Sequence, residues 1–572
     1  MDTIQWIIFI LIIQVIHFLG TWKLYVKAGR QAWEAAIPVY NAIILMKIIN
    51  RPTWWTILLF IPIINLLMFP IIWIETIRSF GRNSLGETWL VILTLGFYIY
   101  YVNYALDVKY IENRGLHPKT ATGEWVSSIA FAVIAATLVH TYFIQPYVIP
   151  TPSLERTLRV GDLLFVSKFH YGARAPMTTV AAPMVHDTLP ILGVKSYLSK
   201  PQLPYFRLPG FTKVDRNDIV VFSWPADTVR QFFKKEAGVD KPIDKKSNYV
   251  KRCVGIPGDS LAVIDGYVYI NGKQLQLSDR AKPQYDYTIY AQNGVSSKLL
   301  ENVGAEGFER KYIVGALNQQ QANAINQYSI GFRKRPDGQF DVFTKSDGIP
   351  IEVVRKNGIS LKEETARQRT APLTDEMVTA IRKESSIDSV VRDVDPKGRR
   401  GANNFPQNAN YPWNYDQMGP IYIPEKGKTV ALNLNVLPLY KKIIREYEGN
   451  TISVSGNQIK LNGKVADSYT FKQDYYWMMG DNRDHSEDSR AWGYVPENHI
   501  VGTPIFIWAS FDNFVNAKGQ PNSPWKWKPR WDRIFTTVNG SGEPVSYFKY
   551  FLIALVAYFV GSWLWKKRKA KK

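Results

Sequence analysis

Three short stretches carry side chains that could do chemistry together. The first is Pro150-Thr151-Pro152-Ser153-Leu154-Glu155-Arg156-Thr157-Leu158, followed by Gly161-Asp162. Pro150 and Pro152 push Ile149 and Thr151 into extended conformations. A stiff extended strand ahead of a serine suits a chain that pairs with a substrate backbone and holds one hydroxyl still. Taken alone, the same residues read more simply as a proline-rich turn. The second stretch is Tyr249-Val250-Lys251-Arg252-Cys253-Val254-Gly255, ending in the turn Ile256-Pro257-Gly258-Asp259. Strand alternation puts Lys251 on the face opposite Val250 and Arg252. A solvated lysine is protonated and a poor base; on an apolar face, desolvation would free its lone pair to accept a serine proton. A solvated lysine on an edge strand is the plainer reading of any single one. The third stretch runs from Met478 to Pro496 and includes Gly480-Asp481-Asn482-Arg483-Asp484-His485-Ser486-Glu487-Asp488-Ser489-Arg490. Such a density of Asp, Asn, Ser and Arg can close a hydrogen-bond network around a lysine; a solvated turn is the alternative. His485 between Asp484 and Ser486 invites a Ser-His-Asp reading, but chain neighbours rarely face one another in triad geometry.

Residues 147–545, which hold all three stretches, show short β-branched and aromatic runs cut by Gly, Pro, Asn and Asp. Examples are 162–168, 218–224 and 261–270, a pattern of β structure. Residues 263–273 and 454–464 each predict a hairpin, turning at Asn271-Gly272 and Asn462-Gly463. The more polar stretch between them reads as an insertion, and two hairpins are too little for a repeat architecture. Apolar runs flank the β region. Residues 4–19 follow Asp2 with no Lys or Arg, and read as a permanent anchor rather than a cleavable leader. Segments 54–75 and 89–106 follow, the first open to kinking at Pro62 and Pro70. Residues 32–49 are expected to lie along the interface. The clearest span, about 125–145, runs straight into the serine stretch, and another covers 547–565. The boundaries that result are a membrane region over 1–124 with about three hydrophobic segments, a transmembrane helix over 125–146, a β domain over 147–275, an inserted domain over 276–450, the rest of the β domain over 451–545, and a transmembrane helix with a basic tail over 546–572.

Charge orients these spans. Lys566, Lys567, Arg568, Lys569, Lys571 and Lys572 should stay cytoplasmic, and Lys109, Arg114 and Lys119 say the same of the near side of the 125–145 span. The β domain is then extracytoplasmic. Four spans before it put the N-terminus outside and Lys23–Arg30 inside; Arg78 and Arg82 fall on the outer side, against the rule.

The 572 residues are too many for one core. The net charge of +21 could serve nucleic acid or anionic lipid, but no zinc-finger, helix-turn-helix or RNP-like pattern is present, so a membrane surface is the expected anionic neighbour and nucleic acid is not. The single cysteine, Cys253, allows no intramolecular disulfide, and the seven histidines show no H-x-x-x-H pair, so no metal and no cofactor are expected. Trp525, Trp527 and Trp531 alternate with Lys526, Lys528 and Arg530; this suits a lipid interface, or a tryptophan-rich edge of the core.

In this order and after a membrane span, the three stretches resemble type I signal peptidases, the leader peptidases. The K-R-x-x-G-x-P-G-D and G-D-N-R-D-x-S-x-D-S-R motifs are long and specific, and Arg216–Phe222 looks like a strand of that family. The motifs cover about 145–265 and 470–535. The extra spans and long insertion look like the variant of Bacteroidetes-type bacteria. The resemblance implies a mainly β catalytic domain of signal-peptidase type, with an inserted α/β or β domain and transmembrane helices at both ends. It implies a multi-pass protein of the bacterial cytoplasmic membrane. Ser153 would be the nucleophile and Lys251 the general base, with the oxyanion hole formed by the Ser153 N–H and the Thr151 hydroxyl. Ser486 would orient the lysine, Asp488 and Arg490 would form a salt-bridged pair behind it, and Asp481 and Arg252 would join that network. Ile149, Pro150, Tyr249 and Val250 would line the substrate cleft. Expected partners are preproteins bearing signal peptides, the lipid bilayer and the secretion translocon. The sequence departs from the family at Leu154, where Met is usual, at Arg156, where Pro is common, and at His485, where Asn is common. Two other readings stay open: a Ser–Lys protease acting on itself or on a regulator, and a membrane scaffold without catalysis.

Overall fold

The computed structural model describes residues 3–117, 120–228 and 238–570. Asp2, Lys119, Lys571 and Lys572, on which part of the charge argument leans, lie outside them. The chain divides into two compact units. One is residues 1–145 with Gly172–Gly210 and Asp227–Ser247; the other is Pro146–Tyr171, Phe211–Ala226 and the chain from Asn248 onward.

In the first unit, apolar sequence with no proline folds as long helices: α1 (Thr3–Lys27) and, further on, α6 (Ala121–Tyr142). Between them lie α2 (Tyr40–Ile48), α3 (Ile64–Ser79), α4 (Leu85–Leu93) and α5 (Tyr98–Tyr104). Among the described residues three helices are long and apolar enough to cross a membrane, Ile4–Lys27, Ala121–Tyr142 and Phe548–Lys569, with α4 and α5 a fourth if counted as one span. The expected continuous span over 89–106 is instead this broken pair, bent by 117°. Leu95 and Gly96 at the break have φ of 50° and 87°, and a Cβ at Gly96 would strike the Trp73 ring. The 54–75 segment is broken too: the chain turns at Ile63 with φ of 70°, and α3 then carries Pro70 within it. Glu75, buried in α3, pairs with Arg51 at 3.0 Å and Arg114 at 2.5 Å. Of the 32–49 stretch expected at the interface, Trp33, Ile37 and Val39 are exposed and the later residues turn inward. Ile44, Met46 and Ile49 are fully buried, so α2 is a core helix of this unit.

The second unit is built on a nine-stranded sheet. Its main strands are β1 (Ile144–Val148), β2 (Asp162–Ser167), β3 (Ile219–Ser223), β4 (Asn248–Gly255), β5 (Tyr475–Met479), β6 (Val495–Pro496) and β7 (Ile500–Asp512), in the order β1-β2-β7-β3-β4-β5-β6. From β2 to β6 every pairing is antiparallel. The 13-residue β7 is the spine: it pairs with β2 on one side and β3 on the other. A four-stranded sheet follows, in which Met418–Tyr422 pairs with Ser260–Ile264. The excursion between these sheets is therefore shorter than 276–450, because the chain is back at the β domain by Met418. Inside it are two small sheets, each with its own apolar cluster. Helix α7 (Phe548–Lys569) closes the chain and buries none of its residues.

Of the tryptophan-rich stretch, Trp525 and Trp531 are exposed, while Trp527 rests on Phe511 and Phe514. Arg530 is turned inward onto the Val160 and Phe511 carbonyls. Trp525 and Trp531 thus stand on the surface, while Trp527 and Arg530 belong to the edge of the core.

Candidate active site

Lys251 sits in the middle of β4, across from Val220 of β3. Alternation along β4 sends Lys251 and Arg252 to opposite faces, and each finds a different partner. Lys251 Nζ lies 2.5 Å from Ser153 Oγ. Both residues are buried, at 4% and 8% exposure. Burial pushes the amine down to about 8, opposed by the carboxylates of Asp488, Glu487 and Asp481. The Tyr249 ring, two residues back on the same face, is 5.5 Å from Nζ and is stacked on Trp224 at 4.9 Å. Trp492 meets Tyr249 edge-on at 5.5 Å. The two tryptophans thus back the one ring that lies beside the amine.

Ser153 stands in a single 3-10 turn, Pro152–Leu154. The turn is short because Pro152 suits its first position and Glu155 leaves it in extended geometry. Leu154 and Leu158 anchor it in a cluster with Ile149, Leu164, Ile219 and Val221. Thr151 before it is extended (φ −130°, ψ 152°) and exposed. Ile149 is buried, and its N–H and C=O are taken by Asp162 and Gly161. Pro150, Tyr249 and Val250 are the more accessible of the four residues expected at the cleft.

The third stretch wraps both groups. Asp481, fully buried, accepts two hydrogen bonds from Arg252, at 2.8 and 2.6 Å, and one from Thr157 Oγ1 at 2.6 Å. The segment carrying the serine is thereby tied to the residue next to the lysine. The Arg252 guanidinium holds the Asp481 carboxyl below the usual range. Asp488 and Arg490, also fully buried, form a bidentate pair at 2.9 and 2.8 Å, and Asp488 also accepts the Gly480 N–H at 3.1 Å. Asp488 too is held low, by Arg490. Ser486 is buried, and its hydroxyl makes no hydrogen bond, neither to Lys251 nor to any other described residue. His485 points elsewhere: its Nε2 is 3.0 Å from Asp286 Oδ1 in the inserted lobe, which raises its pKa. The lobe also pairs Gln284 with the loop, through Gln284 N–H to the Asp481 carbonyl and Arg483 N–H to the Gln284 carbonyl.

Two residues escaped the sequence reading. Asn482 donates its backbone N–H to the Ser153 carbonyl and its side-chain amide to the Pro152 carbonyl, both at 3.1 Å. The Pro152 C=O and the Ser153 N–H belong to one planar trans peptide, so gripping the first aims the second. Only its place in a polar loop hinted at this. Replacing Asn482 by alanine should leave folding largely intact and lower kcat on a peptide substrate by about tenfold to a hundredfold, the cost of a small misplacement. Steady-state kinetics beside a melting curve would check it; unchanged kcat would remove Asn482 from the positioning role. The other residue is Gly480, whose lack of a side chain makes room for both Ser486 and the Ser153 carbonyl.

Known proteins give the class of this molecule. A family model described as "Signal peptidase, peptidase S26" matches residues 122–324 and 423–509, just over half of the chain. A family of unknown function matches residues 33–113. Signal peptidase I of Buchnera aphidicola is 21% identical over 422 residues, covering 72% of this chain and 86% of that protein. Signal peptidase I of Haemophilus influenzae is 21% identical, covering 75% and 79%. Signal peptidase I of Rickettsia rickettsii is 28% identical over 161 residues, which span 28% of this chain and about half, 47%, of that protein. The molecule is a serine peptidase with apolar helices of membrane-crossing length. It belongs to the signal peptidase family, peptidase S26.

Proposed function

We propose that this chain removes N-terminal signal peptides from exported proteins through an acyl-enzyme formed on Ser153, with Lys251 as general base. One observation carries the reading: a buried lysine amine, lowered to about 8, lies 2.5 Å from a buried serine hydroxyl. Neutral Lys251 takes the Ser153 proton as Oγ attacks the scissile carbonyl. The oxyanion is met by the Ser153 N–H and the exposed Thr151 hydroxyl. Protonated Lys251 then gives its proton to the leaving amine, and the ester is hydrolysed by a water that Lys251 deprotonates. Asp488 and Asp481, both ionised, stabilise the transient ammonium. Ser486, buried with an unspent hydroxyl, is the group we assign to orient that ammonium. Pro150, Tyr249 and Val250 offer the walls against which a short extended segment lies, with Ile149 beneath them.

The setting is a multi-pass protein of a bacterial cytoplasmic membrane with its β domain outside the cytoplasm. The run Lys566–Lys569 at the end of α7 supports this orientation. Tethering near the bilayer raises the effective concentration of membrane-bound precursor without new contacts. Secretory precursor incubated with membranes carrying wild type should be shortened at its signal peptide, and Ser153→Ala should slow this by on the order of 10⁴-fold. Equal processing by the two would refute the proposal. Self-cleavage with the precursor intact would favour a self-directed protease, and a folded but inert wild type would favour a scaffold.

A further inference from the structure

Between β2 and β3 the chain makes an antiparallel ribbon, Gly172–Gly210, held by rungs such as Ala175 to Phe206, Ala182 to Ser196 and Leu189 to Val194. Its middle is firm. Thr178, Ala181 and Tyr197 are buried, Thr178 bonds the Asp244 carboxylate at 2.7 and 2.9 Å, and Lys241 pairs with Asp187 at 3.1 Å. Its tip is built unlike an aqueous turn. Residues 188–194, Thr-Leu-Pro-Ile-Leu-Gly-Val, carry no charge. Ile191 is fully exposed, Leu192 is 70% exposed and Val194 51%. Ile191 holds φ of 74°, a region in which a β-branched residue is strained and Gly, Asn or Asp would be at ease. The sequence keeps an aliphatic side chain there against the backbone's preference, which in water gains nothing.

We propose that this tip is a lipid anchor that enters the headgroup–acyl boundary of the bilayer. The occupant follows from what the ribbon touches. It belongs to the same compact unit as α1, and the Trp6 indole N–H near the start of that apolar helix donates to the Gln202 carbonyl at 3.3 Å. Tryptophan near the end of a membrane-crossing helix marks the level of the interface. On either side of Gln202 along that arm, Phe206 and Leu198 are also exposed, and exposed Lys195 and Lys200 lie between Gln202 and the tip, where they suit an anionic headgroup layer. An uncharged, exposed aliphatic tip with lysines behind it, on a ribbon that touches a membrane helix, fits the headgroup–acyl boundary better than water.

The chain's one cysteine, Cys253, is fully buried, so an introduced cysteine can be labelled alone. Full-length Leu192→Cys carrying an environment-sensitive dye would be reconstituted in phosphatidylcholine–phosphatidylglycerol vesicles, with Val194→Cys as a second site should the first fold poorly. Lys397→Cys, at an exposed loop position, is the reference. The tip dye should emit at shorter wavelength than the reference, be quenched by lipids with a nitroxide near the headgroup, and resist aqueous iodide. Iodide quenching equal to the reference would overturn the proposal. So would protection from both quenchers, which would mean a covering protein partner or second copy. The readout is not cleavage, so it is independent of the reaction assigned to Ser153.

Discussion

Replacing Lys251 by methionine is expected to abolish cleavage and at the same time to make the protein more stable at neutral pH. The two effects have one cause. Burial lowers the amine from its ordinary 10.5 to about 8, so the folded state binds this proton more weakly than the unfolded chain does. Where the unfolded chain binds more protons, stability rises with pH. The lysine's burden is therefore present in full below pH 8, fades between 8 and 10.5, and is absent above. Its size is about 3 kcal/mol at pH 7. Methionine fills a similar volume with no charge to desolvate, so its advantage in thermal unfolding should be large at pH 7 and nearly gone at pH 10.5. Wild-type activity should run the other way, rising about tenfold per pH unit up to about 8 and then levelling as the neutral amine saturates. A methionine variant no more stable than wild type at pH 7, or wild-type activity flat from pH 6 to 9, would contradict the assignment of Lys251 as a desolvated base.

What the sequence made legible is what short-range rules decide. The Asn271-Gly272 and Asn462-Gly463 turns form where predicted: φ is 51° and 80° in the first and 50° and 83° in the second, with Ile270 facing Lys273 and Leu461 facing Lys464. Strand alternation separated Lys251 from Arg252 correctly, because β4 keeps unbroken register with β3 through both residues. The less legible features depend on who meets whom across the fold. No local pattern says that Asn482 grips the two carbonyls around Ser153, more than 300 positions away. None says that Trp224 and Trp492 pack on the Tyr249 ring beside the amine. Hydropathy also averages over single residues, and so missed that Leu95 and Gly96 break one apolar stretch into two short helices. The insertion was legible as a change in composition. Its grip on the 481–485 loop through Gln284 and Asp286 was not, since those are backbone and side-chain contacts between distant segments.

The last of these long-range fits makes the second large prediction. Gly480→Ala should lower kcat by about a hundredfold, although it adds one methyl group and the backbone there needs no left-handed conformation. Gly480 follows the last residue of β5, and its N–H is fixed on the Asp488 carboxylate. A Cβ at this point would stand 2.5 Å from the Ser153 carbonyl oxygen and closer still to Ser486 Oγ. The Ser486 hydroxyl can rotate away at little cost, whereas the Ser486 Cβ, at 2.6 Å, moves only with its backbone. The carbonyl cannot rotate away, because it belongs to a turn pinned below by buried Leu154 and Leu158 and accepts the Asn482 N–H. Relief therefore comes from lifting the Ser153 turn or withdrawing the end of β5, and either movement opens the contact between Ser153 Oγ and Lys251. Overpacking of this kind also costs about 1–3 kcal/mol of stability, so activity should be read below the variant's own melting transition. The double variant Gly480→Ala/Ser486→Gly separates the two neighbours. It removes the whole Ser486 side chain but leaves the carbonyl in place, and should stay slower than Ser486→Gly alone by a similar factor. If it matched Ser486→Gly instead, the methyl group would be acting through Ser486, and the tight seat of the nucleophile's carbonyl on Gly480 would not be what sets the geometry.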